Sequence, residues 1–128
     1  MEQFEKVTAL YCRLAQADDQ GIEAQKEKLC QYAEEKGYSN IKIFTDNGYS
    51  GLKFDSPAFS EMEEDIQAGK IQTIIIKDFH RIGRDVKKTY DWLERIKTMG
   101  IPIVSLTQGT YPPPAGTLQD ALHDWASM

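Results

Sequence analysis

Three arginines in this sequence are placed where they could bind a phosphate group together. Arg13 lies in the apolar stretch "VTALYCRL", and Arg81 and Arg84 lie three residues apart just after the apolar run "IQTIII". Guanidinium groups carry a permanent charge and form bidentate hydrogen bonds with phosphate oxygens. A charge within a buried strand is costly unless it is paired, so Arg13 needs a partner. The pattern predicts an anion site, with a structural ion pair of Arg13 to Asp46 or Asp78 as the alternative.

Other polar residues near these arginines could support such a site. Gln25 falls on the apolar stripe of a predicted helix, where it either flanks the core or orients Arg13. His80 precedes Arg81 and has no second histidine near it, which favours a loop residue over a metal ligand. Arg81 and Arg84 have a simpler interpretation as solvated residues that lead into a helix and pair with neighbouring aspartates.

The hydrophobic pattern predicts an α/β chain in which strands and helices alternate. Apolar runs rich in β-branched residues indicate four strands: "EKVTALYCRL", "NIKIFT", "IQTIII" and "IPIVSL". Helices are predicted at about 19–36, from Ser56 to Gly69, at 85–99 and, as a short last helix, at about 117–127. This order predicts a three-layer fold whose central sheet is largely parallel, has four to five strands and is flanked by helices.

The helix pattern also predicts which residues begin each helix and which face the core. Ser56 is a good N-cap, and Pro57 fits the first helical position. In the third helix, apolar spacing predicts one buried face formed by Val86, Tyr90, Leu93 and Ile96. Sites in such folds form beyond the carboxyl ends of the strands, which is where the three arginines are expected.

Composition limits the classes of function. The 128 residues are predicted to form one domain, 1–128, and 41% hydrophobic with 27% charged residues is ordinary for a soluble globular protein. A net charge of −5 argues against a surface that is basic throughout, although "IKDFHRIGRDVKK" leaves room for a local basic patch. No run is apolar enough for a membrane span, and no signal peptide is evident, so a cytoplasmic location is expected. Cys12 and Cys30 are too few for a zinc site or disulfide framework.

Five segments together resemble the N-terminal catalytic domain of serine recombinases, the resolvase–invertase group. They are "LYCRLA", "GIEAQ", "FTDNGYSGLKFDSPAF", "AGKIQTIIIKDFHRIGRD" and "GIPIVSL", in family order, and the loop is most similar to recombinases of mobile elements. The resemblance implies DNA strand cleavage and exchange through a phosphoserine intermediate, without a metal or other cofactor. It implies catalytic, phosphate-binding arginines and a set of supporting residues: Arg13, Arg81 and Arg84, supported by Tyr11, Gln25, Asp46 and His80.

The sequence departs from the family pattern at two positions that matter for cleavage. Ala15 stands where these recombinases have the nucleophilic serine, and Ser56 stands where they have a loop arginine. An alanine has no lone pair with which to attack phosphorus, so the phosphoserine reaction is closed at this position. A milder departure is His80, where the family has Asp or Ser.

These observations favour a domain of the recombinase type that has lost cleavage and has a regulatory or vestigial role in DNA recombination of a mobile element. We expect weak or indirect contact with the DNA phosphate backbone, and either a homodimer or association with an active recombinase. A shortened last helix that is acidic, and the lack of a separate DNA-binding domain, agree with weak binding. The alternatives are an active recombinase with a substitute nucleophile (Cys12, Ser50 or His80) and a small anion- or nucleotide-binding α/β module.

Overall fold

The computed structural model describes residues 6–50, 55–83 and 85–111. In chain order the elements are β1 Val7–Leu14, α1 Asp19–Glu35, β2 Ile41–Asn47, α2 Pro57–Gln67, β3 Ile71–Ile76, a 3-10 turn at Phe79–Arg81, α3 Val86–Thr98, β4 Ile103–Ser105 and β5 Gly109–Tyr111. The predicted α/β alternation is confirmed. The last helix predicted at about 117–127 lies outside the described residues. No helix of the described ranges is long and apolar enough to cross a membrane.

The five strands form one sheet in the order β2-β1-β3-β4-β5. β1 pairs in parallel with both β2 and β3, and β3 pairs in parallel with β4. The carboxyl ends of β1, β2 and β3 therefore meet at one edge of the sheet. β5 is antiparallel to β4, and the hydrophobic pattern did not reveal it because it is only three residues long.

The sheet is the middle of three layers. Alternate residues of β1 point to opposite faces, so Leu10 and Cys12 pack with α1, whereas Ala9 and Tyr11 pack with α2 and α3. β3 is buried on both faces, as its near-continuous apolar sequence predicted: Ile74 and Ile76 on one side and Ile75 on the other.

The side chain that caps α2 is not the one that the sequence predicted. Ser56 does stand at the N-cap position, with Pro57 beginning the helix, but the serine side chain makes no capping hydrogen bond. Asp46, at the end of β2, caps the helix instead by accepting hydrogen bonds from the N–H groups of Ala58 (2.9 Å) and Phe59 (3.0 Å). A carboxylate at a helix N-terminus also interacts favourably with the helix dipole. The cap thus joins β2 to α2.

The prediction that Val86 belongs to the buried face of α3 is wrong. Val86 is 43% exposed, and Tyr90 is only half-buried. The buried face of α3 consists instead of Thr89, Trp92, Leu93 and Ile96. Val86 is the first residue of the helix, and its side chain does not join the core cluster that Trp92, Leu93 and Ile96 form with the sheet. Leu93 and Ile96 are buried as predicted.

Candidate functional site

An open crevice of about 380 Å³ lies at the carboxyl ends of β1 and β3. Its wall includes four residues that the sequence singled out: Arg13, Ala15, His80 and Arg81. β1 supplies the first, the segment after β1 supplies Ala15, and the 3-10 turn after β3 supplies the other two. Arg84 lies outside the described residues.

Arg13 is buried and holds two loops against the end of β1. Its side chain is only 3% exposed. Its Nε donates to the carbonyl oxygen of Arg81 (3.0 Å), its Nη1 to that of Tyr49 (2.8 Å), and its Nη2 to that of His80. These carbonyl oxygens supply partners that a buried guanidinium requires. Arg13 thereby fixes the 3-10 turn and the loop after β2 relative to each other.

The turn after β2 brings the Tyr49 carbonyl to Arg13. The N–H groups of Gly48 and Tyr49 both donate to the carbonyl oxygen of Leu14, at 2.8 and 2.9 Å. Gly48 has a φ of +95°, and a Cβ built there would come within 3.2 Å of the Ala17 Cβ. Glycine is therefore required by both the backbone angle and the space.

Gln25 contacts Arg13 through the backbone and not through the guanidinium. Its Oε1 accepts from the Arg13 N–H (3.0 Å), and its Nε2 donates to the Arg13 carbonyl oxygen (3.4 Å). Gln25 is 5% exposed. Helix α1 thus places a polar side chain in the core, where it satisfies the backbone N–H and C=O groups of Arg13 near the end of β1. Nη1 of Arg81 donates to the same Arg13 carbonyl oxygen (3.2 Å).

Arg81 keeps hydrogen-bond donors that other parts of the site do not use. Its Nε is buried and lies 3.7 Å from Oδ1 of Asp78, which is an ion-pair distance but too long for a hydrogen bond. Both of these atoms lack a hydrogen-bond partner, and Nη2 makes no bond to any described residue. The His80 ring likewise makes no hydrogen bond within the described part of the chain. Arg81 and His80 are therefore the groups best placed to bind an anion.

Asp46, Tyr11 and Ser56 form a buried network behind the crevice. Asp46 is 1% exposed. Its Oδ2 accepts from the hydroxyl groups of Tyr11 (2.7 Å) and Ser56 (2.7 Å) and from the Phe59 N–H, and its Oδ1 accepts from the Ala58 N–H. Burial, followed by the hydrogen bond to Asp46, raises the pKa of the Tyr11 phenol well above its usual range. The network joins β1, β2 and α2, and it directs the Ser56 hydroxyl to Asp46.

Gln108 is a residue of this region that sequence analysis missed. Its Oε1 accepts from the N–H of Phe79 (2.8 Å), the first residue of the 3-10 turn. Ser105, at the end of β4, donates from Oγ to the Lys77 carbonyl oxygen (3.2 Å). The β4–β5 turn therefore holds the segment that carries Arg81. Polar residues directly after the fourth strand were the signal available in the sequence.

The structure separates the three candidate substitute nucleophiles. Cys12 packs on the α1 side of the sheet, away from the crevice. Burial, with a smaller effect of Cys30, raises the pKa of the Cys12 thiol to about 12. Ser50 is exposed in the loop after β2. His80 is the member of this group that lines the crevice.

We expect thiol reagents to modify Cys30 and spare Cys12 in the folded protein. The thiolate is the reactive form, and at about pH 8 a buried thiol with a pKa near 12 is almost entirely protonated. Cys30 is only partly buried. Mass spectrometry after brief alkylation should find one modified cysteine, and alkylation in denaturant should find two. Equal rates for the two thiols in the native protein would contradict the buried position of Cys12.

The resolvase family model, described as "Resolvase, N terminal domain", matches residues 8–126. The chain belongs to the resolvase N-terminal domain family. The resemblance seen in its motifs is thereby confirmed for the family, and the predicted fold is confirmed with it. A comparison with curated proteins gave no significant match.

Several solved structures of recombinases have a similar fold. The N-terminal catalytic domain of TP901-1 integrase is 25% identical, with a TM-score of 0.80 over 95% of this chain and 93% of that one. A resolvase family site-specific recombinase from Streptococcus pneumoniae is 22% identical, with a TM-score of 0.74 over 96% and 87% of the two chains. The C-terminal catalytic domain of ISC1926 TnpA, an IS607-like serine recombinase, is 22% identical, with a TM-score of 0.72 over 94% and 78%. This resolvase-family chain thus shares its fold with these recombinase structures.

Proposed function

We propose that this resolvase-family domain binds the DNA phosphate backbone without cutting it and serves as a non-cutting subunit in recombination of a mobile element. The observation that carries the proposal is the position of Ala15. It is exposed on the wall of the crevice that Arg13, His80 and Arg81 also line. A methyl group thus faces the arginines where the family resemblance expects a nucleophile.

The absence of a nucleophile removes the covalent step. Cleavage through a phosphoserine requires an oxygen lone pair that attacks phosphorus while the 3′ oxygen leaves, and alanine offers none. The second departure weakens the site further. At position 56 a neutral serine hydroxyl replaces the cation, and this hydroxyl donates a hydrogen bond to Asp46. Loss of one charge-stabilising donor costs about 10²–10³-fold in rate in enzymes that depend on such donors.

The remaining cations support binding of a phosphate. Arg81 carries a permanent charge and unused N–H donors, and Arg13 is already held in place by carbonyl oxygens. A preorganised cation loses less conformational entropy when a phosphate arrives. The formal net charge of −5 on the whole chain repels DNA elsewhere, so binding at this one crevice is weak and depends strongly on salt.

A non-cutting subunit would act by occupying a place in a recombinase assembly. The fold similarity to the TP901-1 integrase catalytic domain, with a TM-score of 0.80, supports a shape that is compatible with association with active recombinases. Co-purification of this chain with an active recombinase encoded beside it, followed by a lower cleavage rate of that enzyme, would test the regulatory part of the proposal.

Replacement of Arg81 by alanine should weaken DNA binding about tenfold. The probe is a duplex of about 30 base pairs at low salt, measured by fluorescence anisotropy, and the salt slope should fall by about one because one phosphate contact is lost. Arg81→Lys should retain part of the affinity. Lys28→Ala, a matched loss of one exposed cation on α1, should change binding little.

Two results would contradict the proposal. Arg81→Ala and wild type could bind DNA equally in a sample whose circular dichroism shows the native fold, which would place the phosphate contact elsewhere. Alternatively, the wild-type protein could form a covalent adduct with DNA that survives denaturation, which would show that another residue serves as nucleophile. His80→Ala would then identify or exclude the one candidate that lines the crevice.

A further inference from the structure

The two faces of the edge strand β2 are covered very differently. Phe44 and Asp46 are 2% and 1% exposed on the face that packs with α2. Ile41 and Ile43 point to the α1 side and are 39% and 38% exposed. Two β-branched apolar residues are therefore more than a third exposed on a strand whose other face belongs to the core. A surface of this kind commonly marks a binding site.

The reason is the path of α1 across the sheet. Its buried residues cluster with buried side chains of the three inner strands; α1 also approaches β2, but no buried side chain of β2 joins that cluster. The strand residues in that cluster are Leu10 and Cys12 of β1, Ile75 of β3 and Val104 of β4. The opposite face of the sheet has two helices, α2 and α3. Among the described elements, the position beside α1 and above β2 is therefore vacant.

This vacant position is a groove of about 560 Å³, larger than the crevice at the strand ends. Its α1 wall uses residues spaced by three, four and seven positions, which form a single stripe along the helix. The strand side contributes apolar surface from Tyr38 and Ile41. The lining residues are Glu27, Cys30, Gln31, Glu34, Tyr38 and Ile41.

The wall of the groove carries unpaired negative charge. Glu27 and Glu34 make no ion pair with any described residue. Of the nearby lysines, Lys26 pairs with Glu23 at 3.0 Å and Lys42 pairs on the α2 side of the sheet. Lys36 lies over the Tyr32 ring, and Lys28 is exposed on α1 but makes no ion pair with either glutamate. An apolar floor beside unpaired carboxylates complements a segment that is apolar on one side and cationic on its flank.

We propose that this groove, lined by α1 and β2, binds an amphipathic helix of a partner protein that carries lysine or arginine along the edge of its apolar face. Parallel sheets are normally covered by helices on both faces, and the space beside α1 is where the next covering helix would lie. A helix in an apolar groove is a recurrent mode of peptide recognition, with anchors at i, i+3, i+4 and i+7. The site is separate from the arginine crevice and does not depend on the proposed function.

The C-terminal segment of this chain is a poorer occupant. Residues 112–128 include Asp120 and Asp124 and contain no lysine or arginine, so their charge has the same sign as Glu27 and Glu34. The segment follows β5, which lies at the opposite edge of the sheet from β2, four strand spacings or roughly 19 Å away. The same charge argument applies to this segment of a second copy.

The test uses two amphipathic peptides of about 18 residues, long enough for five turns of helix. One has leucine on its apolar face and lysine on the rest, and the other has glutamate in place of lysine. Titration of the full chain, followed by NMR of backbone amides, should show that the lysine peptide shifts Cys30, Tyr38, Ile41 and Ile43. The glutamate peptide should shift none of them.

Variants localise the binding and separate it from general attraction to an acidic protein. Ile43→Lys should weaken the lysine peptide at least tenfold, because it adds a like charge on the same face of β2 as Ile41, which lines the groove. Val86→Lys is the matched control, since it makes the same change at an exposed apolar residue on α3 and should leave affinity unchanged. Replacement of both Glu27 and Glu34 by glutamine should also weaken binding, and Glu61→Gln on α2 should not.

Three results would overturn the proposal. The Ile43→Lys protein could bind the lysine peptide as tightly as wild type. The shifted amides could map to α2 or to the crevice at the strand ends. Finally, NMR of the free full chain could show contacts between Ile43 and residues 112–128, or dimerisation through the same surface, which would make this chain the occupant.

Discussion

Replacing Asp46 with alanine should lower the free energy of unfolding by about 3–5 kcal/mol. The carboxylate is 1% exposed and accepts four hydrogen bonds, from the hydroxyl groups of Tyr11 and Ser56 and the N–H groups of Ala58 and Phe59. Its removal leaves a buried phenol and two helix N–H groups without an acceptor. For a domain of this size the midpoint of thermal unfolding should fall by roughly 10–20 °C. Urea denaturation followed by circular dichroism measures the change.

Two further variants identify the cause of that loss. Asp46→Asn keeps the shape but turns one acceptor into a donor that faces other donors, so it should also be destabilising. Asp91→Ala is the matched control, because Asp91 forms an exposed ion pair with Lys87, and such pairs contribute less than about 1 kcal/mol. If Asp46→Ala costs no more than Asp91→Ala, the network is not holding β1, β2 and α2 together.

Restoring Ala15→Ser and Ser56→Arg together should produce a covalent protein–DNA adduct where the wild-type chain forms none. The serine oxygen would attack phosphorus, form an ester with the 5′ phosphate and release the 3′ hydroxyl. Ala15 is exposed on the crevice wall, so the added hydroxyl meets no packing cost. The domain is fused after residue 128 to a DNA-binding domain of known sequence preference. The adduct is detected on a denaturing gel with a nicked duplex, and mass spectrometry should place it at position 15.

The single variants show how much each departure contributes. Ala15→Ser alone should react about 10²-fold more slowly than the double variant, since it lacks one phosphate-stabilising cation. Ser56→Arg alone should form no adduct. Adding Arg81→Ala to the double variant should abolish the product. If the double variant binds its DNA and keeps its fold but forms no adduct, Ala15 is not the only barrier to cleavage, and the arrangement of the crevice has itself changed.

Ser56→Arg also has a structural consequence that the experiment must account for. The serine is 8% exposed, and its hydroxyl is one of four donors to Asp46. An arginine side chain that extends out of the core to the crevice no longer donates to this carboxylate, so one of its four hydrogen bonds is lost. We expect a stability loss of about 1 kcal/mol, which thermal unfolding of the single variant would measure.

The sequence was sufficient for the order of the elements because that order depends on local chemistry. β3 is a continuous apolar run and was predicted as a strand buried on both faces, as found. α1 and α3 begin next to Asp18 and Asp85, whose side chains cap them, and Pro57 begins α2. Hydrophobic periodicity, capping residues and helix stops act within a few positions of each other. A short stretch of sequence is therefore enough to predict a helix or strand.

Contacts between distant elements could not be predicted in the same way. Asp46 caps a helix that begins eleven residues later, and Gln108 holds a turn that lies far earlier in the chain. Arg13 was expected to pair with a carboxylate or a phosphate, whereas the structure shows its guanidinium bonded to three carbonyl oxygens. Which donor meets which acceptor depends on how the strands are ordered and how the loops cross, and neither is encoded in local spacing.

The sequence by itself determined the α/β fold, the family and the lack of a side-chain nucleophile at position 15, because these depend only on residue type and spacing. Only the tertiary structure decided that Ala15 shares a crevice with Arg81 and His80, and that the Nε of Arg81 has no hydrogen-bond partner among the described residues. It also decided that Ile41 and Ile43 of β2 remain more than a third exposed beside α1. Such outcomes are set by the geometry with which helices cross the sheet, and the hydrophobic pattern alone does not contain that geometry.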